Sequence, residues 1–61
     1  MNLAQWIEEN GYTDARLAEE VGVSRPFLTR IKRGERQPSA KVLLKLVAKT
    51  QLPAETFLKA A

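Results

Sequence analysis

The stretch TDARLAEEVGVSRPFLTRIKRGERQPS, Thr13–Ser39, decides the fold. Thr13 can cap a helix, and Asp14 suits its first turn beside the positive helix end. Leu17, Ala18 and Val21 follow 3-and-4 spacing and form an inner stripe; Gly22 then ends the helix. Ser24 caps the next helix, in which Leu28 and Ile31 face inward, and Gly34 stops it. Only about four residues, within Glu20–Ser24 (EVGVS), connect the two. Ala18 is small enough for close helix approach, Gly22 can take the left-handed backbone that reverses the chain, and Val23 is an apolar plug under the turn. Together these requirements describe a helix-turn-helix.

Working outward, Asn2 caps a first helix running to about Asn10, with Leu3, Trp6, Ile7 and Asn10 on one side and Gly11 as its stop. Trp6 shares the spacing of Leu3 and Ile7 and is read as core. Ser39 caps a fourth helix with Val42, Leu43, Leu46 and Val47 inward and Lys41, Lys45 and Lys49 in a separate solvated row. Pro53 fits the first turn of a short fifth helix, PAETFLKA, with Phe57 and Leu58 as apolar contacts. The expected fold is all-α: one domain spanning 1–61, a compact bundle of five short helices.

Composition narrows the function. The 61 residues contain no cysteine and no histidine, which argues against a disulfide framework and a zinc site. No apolar run approaches the roughly 20 residues of a membrane span. The first residues, MNLAQWIEEN, carry acid rather than the basic start of a signal peptide. A cytosolic chain is the expectation. An enzyme is not: there is no Gly-rich phosphate loop, and Glu8-Glu9 and Glu19-Glu20 are adjacent in sequence, so each pair diverges on a helix. Those acids read as solubilising, and no cofactor or metal is expected.

The net charge of +3 is unevenly spread. Residues 1–24 hold five acids and one base, giving −4; residues 25–36 hold five bases and one acid, giving +4; residues 37–61 hold four bases and one acid, giving +3. Such polarisation suits a polyanion on one side, although a solvated helix face would have the same composition.

The stretch Thr13–Ser39 resembles the Cro/phage-repressor-type, or XRE-type, helix-turn-helix family. The resemblance runs from about Thr13 to Leu58. It is carried by Leu17-Ala18, Gly22-Val23-Ser24, Leu28, Ile31, Arg33-Gly34, Pro38-Ser39 and the apolar stripe of helix four. It implies four or five helices, operator DNA as partner, and a dimer on a near-palindromic site. The length is similar to that of a minimal, Cro-like member. Four departures stand out: Asp14 where the family usually has a Gln that meets a phosphate, Lys32 for a common Glu, Thr50-Gln51 for the usual Leu-Gly, and Pro26-Phe27 for small polar residues.

On this resemblance the third helix enters the major groove of double-stranded DNA. Arg25 and Arg30 are the base-reading candidates, since Arg can hold guanine O6 and N7 with two hydrogen bonds. Thr29 lies between them and is a further base-reading candidate, able to reach a base edge or a phosphate. Pro26 leaves an apolar ring at the groove end and reads equally well as a helix-start proline. Phe27 can meet a thymine methyl or pack inside. Lys32, Arg33 and Arg36 are expected beside the sugar-phosphate backbone, with Thr13, Arg16, Ser24 and Lys41 as further phosphate contacts. Arg36 can alternatively enter a narrow minor groove. The dimer surface is expected from Leu52 to Phe57 and Leu58, unless those side chains close the monomer core. The competing reading is a protein-binding module on the same fold, such as an antitoxin, for which DNA binding would be autoregulatory.

Overall fold

The computed structural model describes residues 1–58. Four α-helices follow one another, α1 (Leu3–Glu9), α2 (Asp14–Val21), α3 (Arg25–Lys32) and α4 (Ala40–Thr50), and a 3₁₀ turn (Ala54–Thr56) closes the described chain. No strand occurs among the described residues, and none of their helices is long and apolar enough to cross a membrane.

Every α-helix begins at the expected polar cap. Asn2 Oδ1 accepts from Gln5 N–H at 2.8 Å while Gln5 Oε1 accepts from Asn2 N–H at 3.0 Å, a reciprocal box that satisfies two end donors. Thr13 Oγ1 accepts from Arg16 N–H, Ser24 Oγ from Phe27 N–H and Ser39 Oγ from Val42 N–H. Pro26 has no N–H to offer, so Phe27 is the donor left to Ser24.

The turn between α2 and α3 depends on Gly22, whose φ is +80°. A Cβ there would meet only Lys45 Nζ, at 3.7 Å, so the backbone conformation and not crowding requires the glycine. Val23 N–H returns to Ala18 O at 2.9 Å and closes the helix end.

Leu3, Trp6 and Ile7 of α1, Leu17, Ala18 and Val21 of α2, Leu28 and Ile31 of α3, Leu46 of α4, and Phe57 form one buried core. Val42, Leu43 and Val47 pack half-buried around it. α2 packs more extensively against α3 than against α4, so α2 is the main support of α3.

The end of the chain differs from the sequence expectation. Among the described residues the fifth element is a single 3₁₀ turn, and Pro53 stands before it in extended backbone with no side-chain cap. Lys59 and Ala60, expected in that helix, lie outside the described residues. Phe57 is 4% exposed and closes the core, whereas Leu58 is 46% exposed. Thr50 is buried, donating its hydroxyl to Leu46 O at 2.8 Å and accepting from Leu52 N–H at 3.2 Å. The hydroxyl thus helps to end α4 and to begin the turn out of it.

Gln51 completes that turn with φ +62°, the left-handed region. A side chain there costs about 1–2 kcal/mol, partly offset by the greater freedom a glycine has when unfolded. Gln51→Gly is therefore expected to raise stability by about 0.5–1 kcal/mol, read as a higher thermal midpoint by circular dichroism. A lower midpoint would show that the Gln51 side chain contributes more than its strain costs.

Candidate nucleic-acid interface

Leu28 and Ile31 fasten α3 to the core, and this fixes what the other side of the helix presents. Arg25, Pro26, Arg30 and Arg33 are exposed and, with half-buried Thr29 and exposed Glu35, border one open groove. Phe27 does not stand free. It is half-buried against the core, and the Arg36 guanidinium lies over its ring at 5.5 Å. Such cation–π contacts contribute about 0.5–1 kcal/mol at exposed sites. Here the contact draws the loop after α3 back towards the start of the helix and gives Arg36 a defined position.

Two residues that depart from the family pattern turn out to be partners. Asp14, the first residue of α2, accepts from Lys32 Nζ at 3.1 Å on Oδ1 and 2.9 Å on Oδ2, and from the Thr29 hydroxyl at 3.0 Å on Oδ2. The Asp14 and Lys32 side chains are only 19% and 27% exposed. Thr29 and Lys32 are three apart, so both reach the same side of α3. The threonine proton and two of the three lysine ammonium protons are engaged across the α2–α3 seam.

Partial burial pushes the Asp14 carboxyl up, but the bonds from Lys32 and Thr29 and the charges of Lys32 and Arg25 together outweigh it and hold the carboxyl below its ordinary value. A depressed carboxyl stabilises the fold above the unfolded value of about 3.9, and that stability is lost as pH falls through the folded value. The thermal midpoint should therefore drop on acidification below about pH 4–5, and Asp14→Asn should flatten that decline. An equally steep decline in the variant would assign it to other carboxyls.

Arg16 is also engaged. Its Nε donates to Glu20 Oε2 at 3.2 Å, and its guanidinium lies 4.3 Å over the Tyr12 ring. The Tyr12 hydroxyl donates to Glu20 Oε1, Lys49 from α4 pairs with the same carboxylate and lies over the same ring, and Trp6 packs tilted against Tyr12 at 5.0 Å. Lys49 first, then Tyr12 and Arg16, lower the Glu20 carboxyl, and Glu20 raises Lys49. Glu20 is thus a junction of α2 and α4 rather than a merely solubilising acid, and Lys49 is not part of a purely solvated row. Tyr12 was invisible to sequence reasoning because it lies between helices and obeys no periodicity.

A model of the helix-turn-helix family matches residues 3–57. The chain belongs to the XRE-type helix-turn-helix family. Among curated proteins it is similar to the HTH-type transcriptional regulator SutR of Escherichia coli (strain K12), 36% identical over 56 residues, which are 92% of this chain and 32% of that protein. The chain spans about a third of the length of the curated relative it matches. No solved structure gives a significant match.

In this helix-turn-helix domain the remaining expected contact residues flank α3. Thr13 and Ser24 are exposed at the starts of α2 and α3. Each spends an oxygen lone pair on its cap and keeps a hydroxyl proton for an acceptor. Lys41 is exposed in the first turn of α4. No group of residues with metal-binding character occurs among the described residues.

Proposed function

We propose that this domain is the sequence-specific, double-stranded-DNA-binding part of a transcriptional regulator, acting as a Cro-like repressor. The observation that carries the reading is the outward face of α3. Arg25, Arg30 and Arg33 stand exposed on a helix fixed from behind by Leu28 and Ile31, in a family domain similar to part of a transcriptional regulator. An α-helix such as α3 is about 10–12 Å across with its side chains, which fits the width of the major groove, about 12 Å. Arg25 and Arg30 read base edges beside Pro26. Phe27 acts from behind by seating Arg36. Arg33, Arg36, Lys41, Thr13 and Ser24 set register on phosphates, with Arg16 at the margin.

One such helix reads only a few base pairs, so useful specificity calls for a second copy on a half-site about 34 Å away. Leu44 and Leu58, 71% and 46% exposed, are apolar surface for such a partner; Phe57 is not. The reading is tested by selecting from a random duplex pool at several salt concentrations. A near-palindromic sequence should be enriched, with log affinity falling by about 0.9 per phosphate contacted for each log unit of salt. If nothing is enriched and binding stays weak at low salt, the protein-binding alternative takes its place, with Leu44 as the first residue to probe.

A further inference from the structure

The Asp14 cluster bears on how tightly the domain holds DNA. Asp14 occupies the start of α2 and touches α3 at Thr29 and Lys32, on the helix whose exposed face carries the proposed DNA contacts. A phosphate that recruited Lys32 would find two of its three ammonium protons held by the carboxylate through charge-assisted contacts, and the Asp14 charge would repel it. The Thr29 hydroxyl has one proton, and Asp14 takes it. The pair is neutral as a unit, so five basic residues from Arg25 to Arg36 present only four outward charges.

We infer that Asp14 is an internal stand-in for a DNA phosphate. It keeps Lys32 and the Thr29 proton in the α2–α3 seam, so that Lys32 makes no phosphate contact and the binding face is the narrower set of Arg25, Arg30, Arg33 and Arg36. The inference rests on the DNA-binding reading above. It makes Asp14 a positioning residue that limits electrostatic affinity.

The test is the salt dependence of duplex binding, by fluorescence anisotropy, for the full chain, Asp14→Asn, and Asp14→Asn/Lys32→Met, each checked by circular dichroism. Asp14→Asn frees Lys32. Its log–log slope should steepen by about 0.9, which is about 3.5-fold more affinity lost between about 50 and 200 mM salt. The double variant replaces one neutral pair by another and should return to the parent slope. If it is instead shallower than the parent by about 0.9, Lys32 already contacts a phosphate and the inference is overturned. The same conclusion follows if Asp14→Asn leaves the slope unchanged. Should the single variant fail to fold, the double variant against the parent decides alone. Salt-dependent binding by the parent with either overturning result defeats only this inference; no binding by the parent to any duplex defeats the DNA-binding reading as well.

Discussion

Leu17→Ala is expected to leave the chain largely unfolded at room temperature. Leu17 has no exposed surface and sits in α2, against which α3 is packed. Truncating a buried leucine to alanine costs about 2–5 kcal/mol, because the cavity relaxes only in part. A single core in a chain of this size rarely supplies more than about 3–5 kcal/mol in all, so the loss is comparable to the whole. Circular dichroism should show most of the helical signal gone, or a midpoint near or below room temperature. Leu17→Met keeps the volume, should cost less than about 1.5 kcal/mol, and controls for any change at that site. A well-folded alanine variant would mean that the helix pair collapses onto the gap, and that its rigidity is less than the packing implies.

Arg30→Ala is expected to abolish discrimination at one base pair without comparable loss of general DNA affinity. Arg30 is exposed in the last turn of α3, and its neighbours Leu28 and Ile31 hold the helix from behind. A two-bond contact to guanine is worth about 1–3 kcal/mol of discrimination, roughly five- to 150-fold at 1.4 kcal/mol per decade. The measurement is the affinity ratio between the selected duplex and the same duplex with that base pair changed. The variant should bring the ratio near one. Arg33→Ala, at the C-terminal cap of α3, should instead weaken both duplexes alike and reduce the salt slope by about 0.9. If Arg30→Ala behaves as Arg33→Ala is expected to, Arg30 holds a phosphate, and base reading falls to Arg25.

The two experiments separate parts of the structure that serve different ends. Leu17 contributes to the helix pair as an object; Arg30 contributes only to what that object presents. The Asp14–Lys32 pair lies between them. This pair is partly buried, so it bears both on how α2 and α3 are joined and, on the inference above, on which charges remain available beside α3.

By itself the sequence determined the four α-helices and where they begin, but not the 3₁₀ turn that stands in place of the expected fifth. Asn2, Thr13, Ser24 and Ser39 all cap as their neighbours dictate, because a cap joins groups only two or three residues apart. Gly22 and the Leu17, Ala18, Val21, Leu28 and Ile31 spacing fixed the turn and the inward faces for the same reason: these are short-range matters of backbone conformation and helical period. The tertiary structure decided the side-chain partnerships. Lys32, which composition placed among outward cations, is held by an acid 18 residues away; Arg36 lies over Phe27; Glu20 gathers Tyr12, Arg16 and Lys49. Phe57 went to the core, and Gln51 took the left-handed conformation expected of glycine. A long polar side chain can reach several neighbours, and which one it meets depends on how the helices cross, a quantity that local periodicity does not contain.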